Sequence, residues 1–288
     1  MVDLSPLYGL LAALLPFECL QARFMQQALV GLLLLAPMTA AMGIIVVNFR
    51  MSFFADAISH SAFAGVALGL LLALDPEWTM PAFGLLVGVG IMAMQRSSRL
   101  SSDTVIGVFF SAMVAFGLAI VSRDRSLARD LQRFLYGDIL TIGDGQILAL
   151  MGLFLTLMTF QALSYNHLLY IGLNPALARA HRVRVAVQQY MFTGLLALIV
   201  MFAVQAVGVL LVTALLIVPA AAARNFARSA GSMFWWSLLI SLSSAVAGLL
   251  LSAQDWARTA TGATVILVAC GWFGVSMAAA GLRREQPV

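Results

Sequence analysis

A chain of 288 residues that is 62% hydrophobic and only 10% charged, with a mean hydropathy of +1.00, carries more apolar surface than a soluble core can bury. It reads as an integral membrane protein, and its apolar windows leave no room for a separate soluble domain. All 16 basic residues are arginine, so no phosphate loop of the G-x-x-x-x-G-K-S/T type is present; the formal charge of +4 reflects topology signals rather than a nucleic-acid surface.

Residues 1–23 include Asp3 and Glu18, lack a basic start and hold only a short apolar run, Leu7 to Phe17. They read as an interfacial segment rather than a cleaved signal or a span. Windows able to cross roughly 30 Å of hydrocarbon then recur at 25–47, 57–74, 79–95, 104–122, 145–164, 188–205, 207–223, 234–252 and 261–281. The expectation is one all-α, polytopic transmembrane domain over 1–288 with about nine spans, eight being the alternative. The apolar stretch from Gln189 to Ala223 is too long for one helix, and Gln205-Ala-Val-Gly208 is the predicted break. Pro219 is expected to interrupt the helical hydrogen bonding of the span that follows.

Arginine placement sets the orientation. One alternating set of connections holds Arg50, Arg96, Arg99, Arg179, Arg182, Arg184, Arg224, Arg228, Arg283 and Arg284, ten of the sixteen. Placing that set in the cytoplasm puts the N-terminus outside and the C-terminus inside. The segment around Leu135-Tyr-Gly-Asp-Ile-Leu140 then becomes an external, partly re-entrant helix.

Asp56 and His60 stand four residues apart at the head of the second span, where a helix places both on one face. Ionisable groups at membrane depth usually mark an ion or proton path, and mixed oxygen and nitrogen donors suit Zn²⁺ or Mn²⁺. The bland alternative has Asp56 capping the helix and His60 bonded to a neighbour. Ser59 and Ser61 flank His60, but adjacent residues point to different faces, which disfavours Ser-His catalysis and an intramembrane protease. His167 and His181 read as solvated or interfacial groups. Asp103, after Ser101-Ser102, reads as a helix-start signal. Gly65, Gly69, Gly84, Gly88 and Gly90, with Ala62 and Ala64, give the second and third spans small-residue faces. These suit close packing either within one subunit or toward a subunit axis. Cys19 and Cys270 do not suggest a disulfide framework.

Four blocks in fixed order resemble the permease subunits of the ABC-3 family. They are Arg50-Met-Ser-Phe-Phe-Ala-Asp-Ala-Ile-Ser-His-Ser-Ala-Phe-Ala-Gly-Val-Ala-Leu-Gly69, Ser101-Ser-Asp-Thr-Val-Ile-Gly107, Phe134-Leu-Tyr-Gly-Asp-Ile-Leu140, and Gln205-Ala-Val-Gly-Val-Leu-Leu-Val-Thr-Ala-Leu-Leu-Ile-Val-Pro-Ala-Ala-Ala-Ala-Arg224. Thr261-Gly-Ala-Thr-Val-Ile-Leu267 resembles a degraded form of the family's closing block. The resemblance implies a bacterial inner-membrane permease for zinc, manganese or iron. It implies no catalysis by this chain and no permanently bound cofactor, with Zn²⁺ or Mn²⁺ as cargo. The implied partners are a second permease copy, separate ATPase subunits and an external metal-binding protein, in lipid and without nucleic acid.

Carried onto this sequence, the family's metal pathway falls on Asp56 and His60, and a homodimer would bring two such pairs together. Residues 172–184 take the place of the cytoplasmic coupling segment. There Asn174 and Pro175 would open a short helix that presents Leu177 and Arg179 to an ATPase, although the family's usual acids are missing. Asp138 is a candidate for external metal entry. A secondary metal transporter is the alternative, but only one span here is equipped with ligands.

Overall fold

The computed structural model describes residues 8, 18–122, 139–254 and 259–284, and Asp138 lies outside them. Among the described residues the chain forms α1 (Arg23–Asn48), α2 (Ser52–Leu71), α3 (Pro76–Ser97), α4 (Ser102–Val121), α5 (Asp144–Leu173), the short α6 (Pro175–Ala180), α7 (Val185–Val207), α8 (Val209–Phe226), α9 (Ala230–Ser252) and α10 (Thr261–Arg284). Single 3-10 turns occupy Glu18–Gln21 and Ile139–Thr141. All but α6 are long and apolar enough to cross a membrane, which gives nine candidate spans among the described residues.

The helix starts follow local chemistry. Ser101 accepts from the Thr104 amide at 3.2 Å and Asp75 from the Glu77 amide at 2.9 Å, while Ser229 and Ser232 cap α9 reciprocally. Three helix ends are left-handed: Arg50, Ala73 and Arg182 have φ of 55°, 52° and 58°. Each sits in a Schellman-type closure, such as Met51 N–H to Val46 O at 3.0 Å with Arg50 N–H to Val47 O at 3.2 Å. Gly208 divides α7 from α8 at φ 84°, ψ 162°, a region open to glycine and little else. The predicted break is therefore where the structure turns.

α1, α2 and α7 are the most buried of the spans. α2, α3 and α4 gather on one flank, with α3 against α7; α8, α9 and α10 gather on the other, around α1. Lipid is as apolar as leucine, so close approach and interhelical hydrogen bonds hold these contacts rather than burial as such. Ser237 and Ser241 of α9 donate to the Ala40 and Ala36 carbonyls of α1, at 3.3 and 2.9 Å. Such a bond contributes about 0.6 kcal/mol in a membrane.

The small-residue faces of α2 and α3 are used inside the subunit. A Cβ on Gly65 would meet the Met80 Cα at 3.0 Å, and one on Gly88 would meet Ala197 Cβ at 3.1 Å. Gly43 of α1 lies so close to the Leu216 carbonyl of α8 that any Cβ would collide with it.

Candidate metal site on α2

α2 begins at Ser52, earlier than its hydropathy suggests, so Asp56 and His60 both lie within the helix. Met51 is the N-cap, and no side chain caps it. Asp56 therefore does not cap this helix. The other half of the bland reading holds: His60 Nδ1 lies 2.9 Å from the Asp56 main-chain oxygen. A carbonyl oxygen only accepts, so Nδ1 carries the proton; in the neutral ring Nε2 then keeps its lone pair, the form that binds a metal.

Phe53, Asp56, His60 and Phe63 form the open stripe of a helix whose remaining faces are mostly buried. Phe110 of α4 meets the imidazole edge-on, ring centroids 4.9 Å apart, and fixes its plane. Thr213 of α8 faces the Asp56 carboxylate. Neither Phe110 nor Thr213 was marked out by the sequence, because each belongs to a different span and only packing brings it to α2. Ser59 and Ser61 are fully buried, with the Ser61 hydroxyl donating to Ile58 O at 2.7 Å. Neither serine is bonded to His60, which removes the geometry a Ser-His pair needs.

Among the described residues no three His, Cys, Asp or Glu side chains cluster, so one copy offers a carboxylate and one imidazole nitrogen on a half-open face. A tetrahedral Zn²⁺ asks for four donors.

Residues 172–184 are built locally as their sequence suggests. Asn174 accepts from the Ala176 amide at 2.8 Å, Pro175 opens α6, and Ala178 is buried in a small cluster with Ile171 and Val185. Leu177, 44% exposed, and Arg179 point away from that cluster. His181 stacks on Tyr170, centroids 5.2 Å apart, and His167 lies 3.4 Å from Gln188 Nε2, so neither joins α2. At the far end of α5 a further contact went unmarked in the sequence. The Asp144 carboxylate accepts from Tyr8 at 2.7 Å, Gln27 at 2.8 Å and Arg23 at 3.0 Å.

The profile of the ABC 3 transport family matches residues 21–280. The chain belongs to that family. It is 32% identical over 251 residues to the "High-affinity zinc uptake system membrane protein ZnuB" of Haemophilus influenzae, covering 87% of this chain and 95% of that one. It is 31% identical to the "Manganese import system permease protein ScaB" of Streptococcus parasanguinis, covering 92% and 94%. Among solved structures, "PsaBC from Streptococcus pneumoniae in complex with Fab" superposes with a TM-score of 0.74 at 31% identity, covering 90% and 91% of the two chains. A structure described as "An inward-facing conformation of a putative metal-chelate type ABC transporter" shares the fold, with a TM-score of 0.69 at 16% identity over 88% and 85%. Family membership and nine apolar helices make this a multi-pass membrane protein.

Proposed function

We propose that the chain is the membrane permease of an ATP-binding-cassette importer for a divalent transition metal, zinc first and manganese second, in a bacterial plasma membrane. The observation that carries this reading is the pairing on α2: a carboxylate and an imidazole with a free Nε2, sharing the one open stripe of a buried helix. Two donors do not satisfy a dehydrated cation, and a second copy related by a two-fold axis supplies the same two again. The path then runs between two copies, with a gate of two Asp56 and two His60. Relatives named for zinc and for manganese agree with the cargo class and leave its selection to details of this site. Imidazole favours zinc.

A separate ATPase drives the cycle through α6, whose exposed Leu177 and Arg179 stand on a buried Ala178 base. An external protein delivers the metal at the opposite end, where Asp138 is the candidate entry carboxylate. The ten-arginine end, with α6, faces the cytoplasm, as the distribution of positive charge directs. The test is reconstitution of the chain with its ATPase and metal-binding protein. Zinc uptake should need ATP and both Asp56 and His60. Uptake driven by an ion gradient without the ATPase would replace this reading with a secondary transporter.

A further inference from the structure

A cavity of about 520 Å³ opens at the α6 end of the bundle, between the C-terminal ends of α1, α5 and α8 and the first turn of α9. Its volume is that of a ligand pocket rather than a packing flaw. Arg50, Arg224 and Arg228 line it, the other polar side chains there are Asn48 and Ser229, and no Asp or Glu does. None of the three arginines has a carboxylate partner among the described residues, where the ion pair found is Arg23 with Asp144 at the opposite end.

Two of the three are held in place by the backbone. Arg50 occupies the left-handed position of the α1 closure, where glycine is usual, at φ 55°. The amides of Arg228 and Ser229 both donate to Ser232 Oγ at 3.1 Å, which fixes the turn that carries Arg228. The helix ends do not cancel the charge. Three C-termini at about half a negative charge each and one N-terminus at about half a positive charge come to about one negative charge. Three guanidinium groups exceed it.

We infer that this cavity binds a phosphate-bearing anion, as the headgroup of an anionic phospholipid or as free phosphate. Guanidinium is matched to phosphate by its fork of donors, and basic pockets between transmembrane helices on the cytoplasmic side take anionic headgroups. The lipid source is favoured by the neighbouring face of α9. There Ser232, Trp235, Trp236 and Leu239 line a second, shallower groove, with Trp235 68% and Leu239 50% exposed. Tryptophan at the headgroup level is an interfacial anchor, so headgroup and glycerol region would lie on adjacent faces of one helix turn. The inference rests on the proposed cytoplasmic placement of this end but not on the proposed transport activity.

The experiment places the full-length protein in nanodiscs of phosphatidylcholine, with or without phosphatidylglycerol, and counts retained lipid by native mass spectrometry. Wild type should retain phosphatidylglycerol over phosphatidylcholine. The triple variant Arg50→Gln, Arg224→Gln, Arg228→Gln should lose that preference by on the order of a hundredfold, at about fivefold per surface arginine. The triple Arg→Lys variant should keep most of it, which separates lost charge from failed folding. In phosphatidylcholine alone, millimolar inorganic phosphate that raises the thermal stability of wild type but not of the Gln variant would identify the free anion as the source. Equal phosphatidylglycerol retention by wild type and the Gln variant, with no response to phosphate, would overturn the inference. So would loss of ATPase binding in the Gln variant with no lipid or phosphate preference in wild type, since the arginines would then belong to a protein interface.

Discussion

His60 Nδ1 and the Asp56 carbonyl oxygen are 2.9 Å apart, and this single bond within α2 decides which nitrogen of the imidazole is available. The carbonyl fixes the tautomer, Phe110 fixes the ring plane, and Nε2 is left on the same open stripe as the Asp56 carboxylate. A metal ligand whose second nitrogen is held in this way is better oriented than a free imidazole.

Asp56→Ala and His60→Ala should therefore each abolish metal uptake while leaving insertion and assembly intact. Loss of an outer-shell partner costs 10–100-fold, and a direct ligand should cost at least roughly the upper end of that range. Uptake assays on reconstituted transporter with radioactive zinc measure this directly, and wild-type rates in either variant would remove the residue from the path. His60→Asp should lower zinc transport more than manganese transport, because it exchanges a borderline nitrogen donor for a hard oxygen.

The spans were legible in the sequence because hydropathy and length are one-dimensional signals. The break at Gly208 was legible because few residues other than glycine reach its backbone angles. The start of α2 was not. Asp56 and the serines around it depress the hydropathy, whereas the helix is held by backbone hydrogen bonds that extend to Ser52. α5 likewise runs past its predicted end at 164 to Leu173, through the polar stretch Ser164-Tyr-Asn-His167. The α2 and α3 glycines suited packing within one subunit or toward an axis, and the structure spends them on Met80 and Ala197 of the same chain. Asp56 and His60 were legible as a pair because their spacing is helical. Thr213, Phe110 and the three-arginine cavity join residues far apart in the chain, and no local pattern announces that.

Leu177→Asp should uncouple or release the ATPase without altering the fold. Leu177 is exposed on α6, where substitutions usually change stability by less than about 0.5 kcal/mol. Ala178→Asp is the contrast: it would bury an unpaired carboxylate beside Ile171 and Val185 and should destabilise the segment itself. Pull-down of the ATPase together with thermal unfolding separates the two effects. Retained coupling in Leu177→Asp would move the ATPase contact elsewhere.

Gly43→Ala should destabilise the helix bundle by about 1–3 kcal/mol, the usual cost of overpacking. Its Cβ would collide with the main-chain carbonyl of Leu216, which cannot swing aside as a side chain can. Gly107→Ala on α4, where nothing lies within 4 Å, should leave the stability of a single copy unchanged or raise it by up to about 1 kcal/mol. Denaturant titration in detergent measures both, and equal stabilities would show that α1 and α8 can separate without loss.

Cross-linking tests the shared site. With Cys19 and the exposed Cys270 replaced by serine, a cysteine at position 56 or 60 should form a disulfide with its own counterpart in the state where the two α2 helices approach. The geometry is demanding, because a disulfide holds its Cα atoms at roughly 4.4–6.8 Å. A cysteine at Ser59, which is fully buried within the subunit, is the control and should not cross-link. Trapping with and without nucleotide samples both halves of the cycle, and zinc added before oxidation should slow the cross-link by holding the introduced thiolates beside the remaining ligand pair. If the two α2 positions stay more than ~15 Å apart in every trapped state, well beyond disulfide reach, the two copies do not share a site. Asp56 and His60 would then act within one subunit, where among the described residues no third His, Cys, Asp or Glu joins them.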